Sequence, residues 1–259
     1  MKKVQFVMVG MIMLAVAIAT TSCMSCGEMN FSFSGKHITE TRQLKDFEEI
    51  EINGSPSVYY TQGTTYSVEV KGPEELVKNI LTEKDGKTLV IRNKGKFGIV
   101  NIQMGGEDEL AVYVTSPDLI GVRLNGSGDF ISSQRIDTDN MNVVLRGSGD
   151  IEISDLICDR CQLELIGSGD MDVKRLEARE ASASVTGSGD MKLALFNVLS
   201  TSLLLKGSGD LDAHFAEGCQ RVESELHGSG EIELSGQVHQ FNKHKSGSGE
   251  IDTGRLKVN

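Results

Sequence analysis

Leu124-Asn125-Gly126-Ser127-Gly128-Asp129-Phe130 is the stretch on which the fold turns. Its Gly-Ser-Gly-Asp/Glu core begins at Gly126, Gly147, Gly167, Gly187, Gly207, Gly228 and Gly247, at successive intervals of 21, 20, 20, 20, 21 and 19 residues. A period in this range marks a solenoid, in which each unit buries its apolar edge only by stacking on its neighbours. Two residues before each first glycine stand Leu124, Leu145, Leu165, Val185, Leu205, Leu226 and finally Lys245. Four before it stand Val122, Val143, Leu163, Ala183, Leu203, Ser224 and Lys243. Alternation with period two is the signature of a strand with one face inward.

Beyond the turn the alternation resumes with Phe130, Ile151, Met171, Met191, Leu211, Ile232 and Ile251. A third apolar position, about nine residues after the first glycine, holds Leu156, Leu176, Phe196 and Leu256 and predicts a further short side. About 20 residues at roughly 3.3 Å each make a coil of three short sides, stacked roughly 4.8 Å apart. The fold class expected is all-β: a parallel β-helix of coils about 20 residues long over 118–259. A leucine-rich repeat has a similar period but needs a Leu-x-x-Leu-x-Leu pattern that these units lack. The turn glycines are expected to act structurally, supplying corners that side chains forbid, and the serines between them to hydrogen-bond along the stack.

The acids three and five residues after each first glycine form two outward columns, including Asp150/Glu152, Asp170/Asp172 and Asp210/Asp212. Like charges about 4.8 Å apart repel by about 0.9 kcal/mol in water, so this face must be solvated, screened or occupied by cations. A solvated face that accepts turn hydrogen bonds is the plain reading. Weak Ca²⁺ binding by Asp150, Glu152, Asp170, Asp172, Asp210 and Asp212 is the functional alternative, since paired carboxylates offer hard oxygen ligands. No other cofactor is implied.

Glu51-Ile52-Asn53-Gly54-Ser55-Pro56-Ser57-Val58 aligns with the repeat and reads as a degenerate first coil. Strands are predicted at 67–70, 88–92 and 110–115, and Pro73 to Leu81 carries an N-terminal proline, early acids and helical spacing. Residues 38–117 are therefore expected to form a β-rich N-terminal cap region with one short helix. Phe47-Glu48-Glu49-Ile50, Val58-Tyr59-Tyr60-Thr61-Gln62-Gly63, Tyr66-Ser67-Val68-Glu69-Val70 and Val112-Tyr113-Val114-Thr115-Ser116-Pro117, with the serial Gly-Ser-Gly-Asp turns, resemble the auto-transporter adhesin "head GIN domain" family of bacterial envelope proteins. The resemblance spans Arg42 to Val258. It implies a secreted or lipid-anchored β-helical protein and hands over no catalytic residues.

At the other end of the reading, Lys2 and Lys3 precede an apolar run from Val4 to Ala19 and then Thr20-Thr21-Ser22-Cys23. This is a signal peptide pattern over 1–22: the run is near the lower limit for spanning a bilayer, and the small residues and Cys that follow favour cleavage over a permanent membrane helix. Cys23 resembles a lipoprotein acceptor, with 23–37 as the lipid-anchored tether. Thr20 stands where that motif usually has Leu, so cleavage by an ordinary signal peptidase is the alternative. The expected location is the cell envelope, anchored to the outer membrane and facing the periplasm or the surface.

The 259 residues carry a formal net charge of −11, which argues against a nucleic acid partner, since phosphate binding needs a basic patch. The motif is not a nucleophile elbow, a P-loop or a dinucleotide fingerprint. Cys158-x-x-Cys161 lacks the second ligand pair of a zinc site, leaving a local disulfide or two free thiols, and Cys219 lies three coils away. The five histidines have scattered phases, and Tyr59, Tyr60, Tyr66 and Tyr113 all precede the repeat. The function expected is a non-enzymatic, lipid-anchored, adhesin-like structural or interaction module for an unknown envelope protein or extracellular polymer. The alternative is a β-helical polysaccharide-acting enzyme or a Ca-binding glycan-binding protein.

Overall fold

The structure, a computed structural model, describes residues 36–94 and 110–259. From β8 (Gly121–Gly126) onward the chain winds as a stacked series of parallel strands: β9 (Asp129–Asp137), β10 (Asn140–Gly147), β11 (Asp150–Gly167), β12 (Asp170–Gly187), β13 (Asp190–Phe196), β14 (Ser200–Gly207), β15 (Asp210–Glu217), β16 (Arg221–Gly228), β17 (Glu231–Val238), β18 (Gln240–Gly247) and β19 (Glu250–Val258). Along the strand that enters each corner, pairing is between equivalent positions, as in Leu163↔Ala183, Leu165↔Val185 and Gly167↔Gly187. The coil is three-sided: β11 and β12 match from Asp150↔Asp170 to Ile153↔Val173, again from Leu156↔Leu176, and again from Arg160↔Glu180.

The inward columns form the core. Leu124, Leu145, Leu165, Val185, Leu205 and Leu226 are each 0% exposed, and Phe130, Ile151, Met171, Met191, Leu211 and Ile232 pack beside them. At the last coil Lys243 and Lys245 stand in register with Ser224 and Leu226 but are exposed. The Lys245 ammonium donates to the Gly249 carbonyl. One column differs from the sequence expectation. Leu195, not Phe196, pairs with Leu176 and is fully buried, because the chain is one residue shorter between Leu193 and that position. Phe196 is half-buried, with the Arg175 guanidinium 4.5 Å above its ring.

The corners explain the glycines. Gly126, Gly147, Gly167, Gly187, Gly207, Gly228 and Gly247 all have φ between +110° and +144°, a region that side chains rarely adopt. Each corner carbonyl accepts hydrogen bonds from the coil above: Gly147 O takes the N–H of Ser168 at 2.9 Å and of Gly169 at 3.2 Å. A Cβ on Gly167 would lie 2.1 Å from Gly147 O, and one on Gly169 would lie 2.0 Å from Gly149 O. Backbone amides thus hold the corners together. Of the serine hydroxyls, Ser208 and Ser229 meet at 3.1 Å, so the expected hydroxyl ladder is a minor feature beside the amide one.

The N-terminal segment contributes β1 (His37–Arg42), β2 (Glu49–Gly54), β3 (Ser57–Gln62), β4 (Ser67–Pro73), α1 (Glu74–Val77), β5 (Ile80–Asp85), β6 (Thr88–Asn93) and β7 (Ala111–Ser116). β2 lies in register on β8, with Ile52↔Leu124 and Gly54↔Gly126, as the aligned motifs predict. β6 and β7 pair in parallel with the other edges of β2 and β3, so later strands lie outside earlier ones. Antiparallel strands then close this end: β4 on β7, β1 on β4 and β5 on β6. The Gln62 amide pins the crossover, donating to Pro117 O and Asp137 O and accepting from Asp137 N. The helix is a single turn, shorter than the Pro73–Leu81 spacing predicts. A turn this short is marginal alone, and from Ile80 the backbone pairs with β6 instead, burying Ile80.

Replacing Gly167 with Ala should cost roughly 3 kcal/mol or more, from the left-handed backbone and the carbonyl clash together. Ser168→Ala, at an exposed position, should stay within about 0.5 kcal/mol of the parent. Urea denaturation followed by circular dichroism measures both, and equal losses would contradict the corner assignment.

Candidate interaction faces

The two acidic columns face outward, and their coils hold the carboxylates in register: Asp150↔Asp170 and Glu152↔Asp172, Asp210↔Glu231 and Asp212↔Glu233. The first column is partly neutralised by the backbone. Asp150 Oδ1 accepts the N–H of Asp170 at 3.2 Å, Asp170 that of Asp190 at 3.4 Å, and Asp190 that of Asp210 at 3.1 Å. Where the acid is Glu231 or Glu250, its own N–H goes to a glycine carbonyl one coil below. The second column is interrupted by Lys192, which stands in register between Asp172 and Asp212. Lys174 lies 3.5 Å from Glu152, and Arg255 pairs with Glu233. Among the described residues, no three acidic, histidine or cysteine side chains converge to hold a metal ion. Asp150, Glu152, Asp170, Asp172, Asp210 and Asp212 stand as a ladder of pairs in register along the coils.

A second charged strip was not singled out from the sequence. On the third side Asp155 sits between Arg135 at 2.8 Å and Arg175 at 3.3 Å, and Arg175 also reaches Glu177. Arg179–Asp159 and Arg160–Glu180 extend the pattern across coils. The signal was present, since Arg135, Asp155 and Arg175 recur at 20-residue intervals with alternating sign. Such exposed pairs contribute roughly 0.2–1 kcal/mol each.

The surface offers shallow depressions. Between the second and third sides, the coils that start at Asp190, Asp210 and Glu231 reach their inward residue one position sooner than those at Asp150 and Asp170. An open hollow of about 250 Å³ lies there, floored by Val173, Leu193, Ala194 and Ala213 and bordered by Lys174 and Arg255. An adjoining one of about 220 Å³ is lined by Asp190, Asp210, Asp212, Glu231, Glu233 and Lys192.

The remaining candidates are scattered. His227 contacts Ser246 and Glu225, each at 2.6 Å, and His214 contacts Ser235 at 2.9 Å. Tyr59 and Tyr113 stack with ring centroids 5.3 Å apart, and Tyr113 is exposed. Tyr60 is a core residue hydrogen-bonded with Ser116, and burial pushes its phenol up to about 12. Cys158, Cys161 and Cys219 are buried, and the Cys219 thiol donates to Leu195 O. Cys23, the predicted lipidation site, lies outside the described residues.

With this geometry in place, comparison with known proteins is informative. A family model described as "Putative auto-transporter adhesin, head GIN domain" matches residues 46–217 and 195–259. The chain belongs to this family. No curated protein matches it. Among solved structures, a "putative adhesin" from Bacteroides fragilis is 22% identical, with a TM-score of 0.68 over 86% of this chain and 98% of that one. A "putative lipid binding protein" from Parabacteroides distasonis is 25% identical, with a TM-score of 0.67 over 87% of this chain and 98% of that one. A "putative adhesin" from Parabacteroides merdae is 20% identical, with a TM-score of 0.61 over 85% and 97%. The head GIN domain fold is thus shared along almost the whole length of these relatives.

Asp150 offers a test of the ladder's electrostatics. Partial burial, with repulsion from Asp129, Asp170 and Glu152, holds its carboxyl above the ordinary aspartate value despite the amide it accepts. A raised folded pKa means that the protonated form is favoured on folding, so the contribution to stability is present in acid and lost as pH rises through the folded value. Asp150→Asn keeps the acceptor without the charge. It should raise Tm at pH 7 and have no effect below the ordinary value of 3.8. A lower Tm at pH 7 would reverse the sign.

Proposed function

We propose that the protein is a non-enzymatic, lipid-anchored module of the cell envelope that presents flat β-helix faces to another envelope component or an extracellular polymer. The observation that carries this reading is the near-constant length of the coils between residues 121 and 258, whose strands carry no long insertion and leave shallow hollows among the described residues. Polysaccharide-cleaving chemistry needs paired acids set around an enclosed substrate. Here Asp150, Asp170 and Asp190 accept the next coil's amides, and Glu152 and Glu233 pair with Lys174 and Arg255. The recurring charged faces and the membership in an adhesin family fit recognition instead. Immobilised protein should bind members of a panel of envelope and mucosal polysaccharides without releasing reducing ends. Turnover that is lost in Asp210→Asn or Asp212→Asn would overturn the non-enzymatic reading.

The anchor rests on Lys2-Lys3, the apolar run and Cys23. Several acyl chains on Cys23 would hold the protein firmly, since each buried methylene contributes roughly 0.8 kcal/mol. Mass spectrometry of the mature N-terminus should find Cys23 as the first residue carrying a diacylglyceryl thioether, and Cys23→Ser should release the protein from membranes. A mature chain starting elsewhere, or an unmodified Cys23, would remove the anchor.

A further inference from the structure

Along the β-helix, the corner between a coil's third side and the next coil's first carries an inward pair of residues three apart. The series runs Thr138/Met141, Cys158/Cys161, Ala178/Ala181, Val198/Thr201 and Cys219/Val222, and these side chains are all buried. In one coil both members are cysteines. Their backbone is tightly held: Asp159 N and Arg160 N both donate to Asp139 O, at 2.9 and 3.2 Å. Both cysteine side chains are buried at this corner, and the two thiols hydrogen-bond to each other. Zinc chemistry is unsupported, because no further ligand converges on them among the described residues.

We propose that Cys158 and Cys161 are a dithiol that closes to a disulfide across this corner, an internal covalent staple in the middle of the β-helix. The exported location that would supply an oxidising environment rests on the reading of the preceding subsection, whereas the closure itself rests on geometry alone. The Cys161 thiol donates to the Cys158 sulfur, which lowers the Cys158 pKa and makes it the nucleophile of the pair. Its thiolate attacks a small disulfide oxidant, forming a mixed disulfide and expelling one thiolate. Cys161 then attacks the Cys158 sulfur, loses its proton and expels the second thiolate. Two electrons and two protons pass to the oxidant, which leaves as two thiols.

The sequence supplies a clean assay, because Arg160 lies between the cysteines. Trypsin therefore separates peptide 147–160, with Cys158, from peptide 161–174, with Cys161. The full chain is equilibrated with oxidised glutathione, denatured in iodoacetamide, and digested without reduction. The expected product is the two peptides joined and lighter by two hydrogens, while the Cys219 peptide is alkylated. Recovery of both peptides alkylated, or each joined to glutathione, would overturn the proposal. The oxidised protein should also melt about 2–6 °C above the reduced one. That gap should vanish in Cys161→Ala, which is expected to fold because Ala181 fills the equivalent place in the next coil. A persistent gap in that variant would also overturn it.

Discussion

The structure depends on one backbone arrangement, the corner at which a glycine carbonyl accepts two N–H groups from the coil above. It runs from Gly54, which takes Ser127 N and Gly128 N, to Gly228, which takes Gly249 N. The acceptor can be reached only if no Cβ intervenes, since a Cβ at the glycines from Gly126 to Gly249 in these turns would lie 2.0–2.3 Å from a neighbouring oxygen. The glycine requirement is therefore imposed by the neighbouring coil as much as by the local turn. It explains why the motif repeats with the stacking period.

Once the corners are locked, the sides have little freedom. A period-two strand of fixed phase must place Leu165 inward and Glu164 outward, and the next coil must do the same. This puts like side chains above one another, which suits Leu and Val but burdens Asp and Glu. The chain resolves that burden in two ways. Aspartates next to the corner accept the next coil's amide, and the column farther along is interrupted by Lys192 and met from beside by Lys174 and Arg255. The outward faces are consequently polar and ordered.

The N-terminal end solves a different problem. A stack of parallel strands leaves an edge of unpaired backbone groups, a template for unwanted pairing. Here β6 and β7 cover the first coil, and antiparallel β1, β4 and β5 cover those in turn. The Gln62 amide ties strands from both regions.

The sequence by itself determined the coil, its inward columns, the outward acids and the place of Ile52 and Gly54 in the first turn, because each depends on periodicity along one strand and on glycine's unique backbone. The family was legible for the same reason, through serial turns and the strands around Val58 and Val112. Phe196 was misplaced because a one-residue shortening at a corner is invisible to counting from the motif. The extent of the helix was decided by pairing of Ile80–Asp85 with β6, a competition between local and tertiary hydrogen bonds that spacing does not report. Only the tertiary structure decided that later strands lie outside earlier ones, that amides instead of serine hydroxyls join the corners, and that the acids are met by amides and cations. Each of these depends on which coil lies next to which, a relation between residues far apart in the chain and close only once it has folded.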